Sequence, residues 1–312
     1  MKLVEARREI LDIQRARGHS PSTLESRRIH LDEFVGFLRD RGVENVEDVT
    51  SEHVETFRAW MLNHISAWTG RKLSISSVSQ RLWLAKMFFT HWVERKVIVA
   101  NPTRHLTWPK GVVNPPRRIP SEKQMEEILA RPDIGTAFGL RDRTILEVLY
   151  ATGLRREELS RLDIYDVNFT ERTLQVRHGK GGKGRTVPLT ETASLFLTRY
   201  LKEVRPELMR LRGCRPAGER DPALFVSIKG ERFKKDRLGQ LVGRYVRSVA
   251  PGTTMTCHAI RHAFATHMLN GGANLIYIQR ILGHADLQMT QRYTQVKPMD
   301  LKEAHHRCHP RG

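Results

Sequence analysis

The sequence predicts a mainly α-helical protein with one small β-sheet, arranged as two domains. Three observations predict it. Apolar residues recur at helical spacing through both halves, a single pair of short β-rich runs stands out, and a proline cluster separates the halves. The length of 312 residues agrees, at roughly 150 residues per domain. Hydrophobic residues make up 39% and charged residues 28%, enough apolar content for real cores and too much for a disordered polycation.

The elements follow in chain order. Ser20-Pro21 gives an N-cap with proline at the first helical position. Leu24, Leu31, Phe34, Val35 and Leu38 then recur with helical period. Ser51 opens a second helix with Val54, Phe57, Met61 and Ile65 on one face, and a third runs from Ser76 to Arg95 over Val78, Leu82, Ala85, Phe89 and Trp92. The stretch "NPTRHLTWPKGVVNPPRRIP" holds five prolines and no regular period, so it reads as an extended connector. The expected boundaries are a helical domain over 1–104, a linker over 105–119 and a second domain over 120–312. Beyond the linker, Ser121 and Gln124 have the spacing of a capping box. Further helices are expected over Arg141–Ala151, Thr190–Lys202, Gly239–Ala250, His258–Asn270 and Leu275–Leu282. "TLQVR" and "RTVPL" flank "HGKGGKG" and read as a β-hairpin with a cationic tip.

Charge narrows the partner. Lys and Arg number 53 against 34 Asp and Glu, a net charge of +19. Residues 1–110 hold 18 basic and 13 acidic side chains, the remainder 35 and 21. Both segments are therefore basic, as two surfaces facing one long polyanion would be, and duplex DNA is the simplest such partner. Arg27, Arg28, Arg81 and Lys86 on the helix faces are candidate DNA contacts, although solvated helix faces carry the same residues. No run approaches the roughly 18 apolar residues of a membrane span, and the start lacks the apolar run of a secretion signal. Cys214, Cys257 and Cys308 are odd in number and scattered, which argues against a disulfide framework. A cytoplasmic protein with no membrane partner is expected.

Four segments carry chemistry. In "ATGLRREELSRL", Gly153 can end a helix in the left-handed conformation, which places Arg155 in the first turn of the next. Glu158, three residues on, can hold the arginine's planar fork in the geometry that grips a phosphate. An ordinary surface ion pair has the same spacing. At the hairpin tip, Lys180 and Lys183 lie between glycines, with Arg185 just beyond; these are further candidate DNA contacts, and the Walker A spacing is absent. In "CHAIRHAFATHML", His258 and Arg261 are three apart on one helix face and can address two oxygens of one phosphate, whereas His262 and His267 read as packing or capping residues. A zinc site of Cys257, His258 and His262 lacks a second ligand pair at finger spacing. In "ILGHADLQMTQRYTQV", His284 lies just past a helix end and Tyr293 nine residues further. A phosphodiester under attack accumulates charge that arginines stabilise without a metal, and a tyrosine can serve as covalent nucleophile if a neighbour handles its proton.

In order and spacing, "TGLRREEL", "GKGGKGRTVPL", "HAIRHAFATHML" and "LGHADLQMTQRYTQV" resemble the motifs of the tyrosine recombinase (phage integrase) family. In length the chain is most similar to its Xer members. The resemblance spans about 140 residues of the second half and is looser in the first, which matches the family's helical core-binding domain in size, helix count and charge. It implies a C-shaped clamp around duplex DNA. It implies Arg155 and Arg261 as the phosphate clamp, Lys180 as general acid to the leaving 5′-oxygen, with Lys183 competing for that role. It further implies His258 assisting proton transfer, His284 on the phosphate, and Tyr293 as nucleophile forming a 3′-phosphotyrosine. No position of this set departs from the family pattern. The implied activity is site-specific recombination without ATP, metal or other cofactor, by four subunits, the same or different, on a specific duplex site. A mobile-element role and chromosome-dimer resolution both fit, and the unusual tail leans the reading toward the former. A non-catalytic regulator would explain the charge but not the convergent site, and a metal-dependent nuclease would need a carboxylate cluster. His305, His306, Cys308 and His309 in the tail could chelate a metal; a polar terminal extension is the favoured expectation.

Overall fold

A computed structural model describes residues 1–66, 70–109, 119–177, 184–210, 222–250, 257–283 and 298–311. In it the chain divides into two units, Met1–Pro115 and Pro116–Gly312. In the first, α1 (Leu3–Ala16), α2 (Pro21–Arg39), α3 (Ser51–Asn63) and α4 (Ile75–Glu94) surround one aromatic core. Phe34 meets Phe57 and Phe89 edge-on, with ring centroids 4.7 and 5.9 Å apart, the arrangement ring quadrupoles favour. The Thr23 N–H donates to Ser20 Oγ at the start of α2, as the Ser-Pro pair predicts.

Three details differ from the sequence reading. The cap of α3 is Thr50, which exchanges hydrogen bonds with His53, so Ser51 is the first helical residue. Ile65 lies past the end of α3, exposed and bridged to Lys72. Helix α1 was not expected, because its inward row of Leu3, Ala6, Ile10 and Gln14 mixes small and polar members. Gln14 is nonetheless buried, accepting from Arg27 Nη1 at 2.7 Å and donating to Met87 Sδ at 3.0 Å.

The second unit contains α5 (Glu122–Ala130), α6 (Ala137–Thr152), α7 (Arg156–Arg161), β1 (Val167–Asn168), β2 (Thr173–Val176) and β3 (Arg185–Pro188), followed by α8 (Glu191–Arg199), α9 (Arg205–Arg210), α10 (Lys235–Val249), α11 (Cys257–Asn270), α12 (Leu275–Leu282) and α13 (Pro298–Cys308). The reciprocal Ser121–Gln124 capping box opens α5 as expected. Helix α6 is buried along nearly its whole length and packs against α8 and α11. The expected hairpin is β2–β3, antiparallel with Leu174 opposite Val187, both fully buried. A third strand, β1, joins its edge; two residues are too few to show alternation. The helix expected over Thr190–Lys202 widens into a π-turn at Tyr200–Val204. There the buried Tyr200 hydroxyl accepts from the Val226 N–H at 3.2 Å.

The tail corrects an expectation. It is a helix docked in the core, with Ala304, His305, Cys308 and His309 buried. His305 Nε2 donates to the Ala151 carbonyl at 2.6 Å and His309 Nε2 to the Tyr150 carbonyl at 3.0 Å. These are carbonyls of the last turn of α6, which lack helical partners of their own. The two imidazoles stack on each other 4.9 Å apart and lie beside Phe264. Gly271 is required opposite: a Cβ there would stand 2.3 Å from the Cys308 carbonyl oxygen. What makes the tail look polar in the sequence is therefore a row of histidines capping a buried helix end.

Candidate active site

Two left-handed glycines frame the site. Gly153 (φ 60°) ends α6 and Gly283 (φ 63°) ends α12. A Cβ on Gly153 would meet Phe264 Cδ1 at 2.6 Å and Leu282 Cδ2 at 2.7 Å. The glycine thus supplies both the conformation and the room to bring α6, α11 and α12 together.

Past Gly153 the chain turns at Leu154 and enters α7 with Arg155 at the cap position. The Arg155 backbone N–H donates to Glu158 Oε2 at 2.8 Å, and Arg155 Nη1 donates to Glu158 Oε1 at 3.0 Å. The pairing read from the i,i+3 spacing is therefore made, and made by a carboxylate only 4% exposed beneath an arginine 29% exposed. Burial pushes the Glu158 carboxyl up, but the hydrogen bonds and charge of Arg185, and then Arg155, outweigh it and hold it below the usual range.

Arg261 projects from α11 into this region and is buried. Its Nη1 donates to the Gly153 carbonyl and its Nη2 to the Leu282 carbonyl, each at 2.7 Å. It thereby ties together two helix C-termini, where a cation is favoured. Burial, then the neighbouring charge of Arg155, pulls its pKa down to about 10. It remains a cation at neutral pH.

Arg185, at the start of β3, was read as a DNA contact but is engaged inside the protein. Its Nη1 and Nη2 donate to Glu158 Oε1 and Oε2 at 2.8 and 2.9 Å, and its Nε donates to the Ile281 carbonyl at 2.7 Å. Arg155 Nη2 reaches the Gly283 carbonyl at 3.3 Å. Three consecutive carbonyls at the end of α12 (Ile281, Leu282 and Gly283) therefore each accept from a different arginine. Three guanidiniums surround one carboxylate, so the cluster carries excess positive charge, as an anion site requires. Arg185 was legible in principle: it shares a strand face with the buried Val187, two residues on.

His258 is exposed on α11, its ring edge-on to His262 at 4.7 Å. His267 is buried and pairs with the Tyr150 hydroxyl through Nδ1 at 2.8 Å, the packing role expected of it. Burial raises the Cys257 thiol to about 11, leaving an inert core residue. In the first unit, Arg81 Nε donates to Glu33 at 2.6 Å, and Lys86 is exposed. Lys180, Lys183, His284 and Tyr293 lie outside the described residues.

The profile of the Phage integrase family matches residues 119–299, a span that takes in all four motifs. The chain is 38% identical to tyrosine recombinase XerC 2 of Ralstonia nicotianae over 296 residues, 94% of this chain and 82% of that protein. It is 36% identical to XerD of Pseudomonas aeruginosa over 95% of this chain and 94% of the relative. Among solved structures, the Tn1549 transposon integrase in complex with a circular intermediate DNA aligns with a TM-score of 0.70 at 21% identity, covering 97% of this chain and 98% of that one. A lambda integrase dimer bound to a COC′ core site aligns at 0.66 and 17% identity, covering 96% and 100%. At these identities the structural likeness speaks for the fold.

Proposed function

The chain belongs to the phage integrase family, the tyrosine recombinases, and from that premise we propose how its residues cut and rejoin DNA. Arg155 and Arg261 clamp the nonbridging oxygens of the scissile phosphate, where charge grows as the nucleophile approaches. The Tyr293 oxygen attacks phosphorus, the bond to the 5′-oxygen breaks, and a 3′-phosphotyrosine forms. The phenolic proton leaves with help from His258, while Lys180 on the hairpin loop protonates the departing 5′-oxygen. Lys183, on the same loop, is the second candidate for that proton. His284 hydrogen-bonds the phosphate. A 5′-hydroxyl from a second duplex then reverses the step, so the linkage energy is conserved without ATP or metal.

The observation that carries this reading is the convergence of Arg155 and Arg261 on the end of α12, ten residues before Tyr293. In the same reading the basic helices of the first unit, Lys86 among their exposed residues, bind the same duplex. In this reading residues 1–104 bind DNA, 105–119 link, and 120–312 catalyse. Each site cuts one strand, so exchange between two duplexes takes four subunits, in the cytoplasm where the DNA is. Tyr293→Phe tests the assignment: covalent protein–DNA adducts should vanish while affinity for the duplex stays within about threefold, since one hydroxyl among many phosphate contacts adds little. Adducts persisting in that variant would place the nucleophile elsewhere.

A second reading concerns the biological role. Chromosome-dimer resolution, which the Xer resemblance implies, and a mobile-element role are the two alternatives, and they differ in the product formed. A plasmid carrying two direct copies of the chain's site should be resolved to monomers in the first case; insertion into a second plasmid marks the other.

A further inference from the structure

The guanidinium of Arg185 makes two contacts that a DNA-facing arginine would not. Its fork lies flat against both oxygens of the buried Glu158, and its Nε caps the Ile281 carbonyl. Its side chain is only 12% exposed. Each contact leads to a different part of the reacting assembly. Glu158 fixes the backbone and the fork of Arg155, one half of the phosphate clamp. Ile281 begins the triplet of carbonyls that also anchors Arg261 and Arg155, immediately before the segment that holds His284 and Tyr293. Gly283 keeps the space open: a Cβ on it would stand 3.0 Å from Arg185 Nη1.

We propose that Arg185 is a positioning residue for strand cleavage: by bridging Glu158 to the end of α12 it holds the two clamp arginines, Arg155 and Arg261, in register. The proposal rests on the functional reading above and adds to it a residue that acts through Glu158 and the Ile281 carbonyl. Lysine is not a substitute. An ammonium is a point charge on a single stem and does not span two carboxylate oxygens and a carbonyl in one plane. Because Arg185 stands at the foot of the hairpin whose loop carries Lys180, one side chain ties the strand pair to the same centre.

The test uses the full chain and a duplex selected from random-sequence DNA by its affinity for the unaltered protein. Adduct formation at saturating DNA and the apparent Kd are measured on the same samples. Arg185→Lys and Arg185→Gln should each slow adduct formation about 10- to 100-fold, the scale expected for misplacing reactive groups by about an ångström, while Kd changes less than threefold. A DNA-contacting arginine predicts the reverse: a weakened Kd, a shallower salt dependence and rescue by lysine. That result would overturn the proposal. Glu158→Gln combined with Arg185→Gln removes both buried charges together, which avoids stranding the carboxylate. The pair should cost no more rate than the slower single variant, and multiplied losses would contradict action through Glu158. A purely structural role is recognised by an unchanged rate in the folded, DNA-bound fraction, and would also overturn it. Failure of the functional reading looks different: the unaltered chain forms no adduct, or Tyr293→Phe still does, and the proposal falls with it.

Discussion

Arg155, Arg261 and Glu158 show how much at this site depends on single atoms. Arg261 is buried and spends two N–H groups on backbone carbonyls, so its position is fixed before any substrate arrives. Arg155 is the more exposed of the two and is steered by a buried carboxylate. Gly153 makes the geometry possible, and Gly153→Ala is predicted to be severe. Alanine at φ 60° is strained, and its Cβ would meet Phe264 at 2.6 Å and Leu282 at 2.7 Å. A loss of about 2 kcal/mol or more in urea unfolding is expected, and adduct formation should fall further because the Gly153 carbonyl that holds Arg261 moves. A variant as stable and active as the parent would show that this approach of α6, α11 and α12 is dispensable.

The elements differ in how they reveal themselves, and α13 shows why. Helices with caps and a strong apolar row (α2, α4, α5, α12) were legible to within a few residues. So was the β2–β3 hairpin, because its alternation and glycine-rich loop are local signals. Helix α1 and the burial of α13 were not, since Gln14, His305 and His309 read as surface residues until their partners are known. Arg185 is intermediate: the strand face it shares with Val187 turns it inward, but its partners Glu158 and Ile281 lie far away in sequence.

Helix α13 also carries a pH dependence with a definite sign. Burial, opposed by the bond to the Ala151 carbonyl, pulls His305 down to about 4. Burial and then the charge of His305 take His309 to about 3. Unfolded histidine titrates near 6.5. Docking of α13 is therefore fully present above about pH 6.5 and is lost as pH falls from there toward 4. Each histidine should cost about 1 kcal/mol by pH 5.5. The groups around the pair include His267 and Tyr150, with Arg311 bonded to Glu147 at 3.0 Å; His267 is also pulled down, chiefly by burial, and adds in the same direction. Amide exchange of α13, corrected for the intrinsic rate, should accelerate between pH 7 and 5.5. Flat exchange over that range would contradict the buried neutral imidazoles. His309→Phe should weaken the pH dependence.

At the scale of the whole molecule, charge and chemistry point to one substrate. A net charge of +19 shared by both halves predicts affinity dominated by phosphate contacts. With about six of them, binding should weaken by about a thousandfold between 50 and 200 mM salt; a flat salt response would reject the polyanion reading. The central claim is sharper than affinity, since it names the atom that becomes bonded to DNA. Trypsin cleaves after Arg292 and stops short of Pro298, so Tyr293 is expected in the fragment 293–302. If the adduct trapped on the selected duplex is digested with nuclease and trypsin, mass spectrometry should find a 3′-nucleotide on that fragment, localised to Tyr293. A nucleotide on any other residue, or on none, would contradict the account.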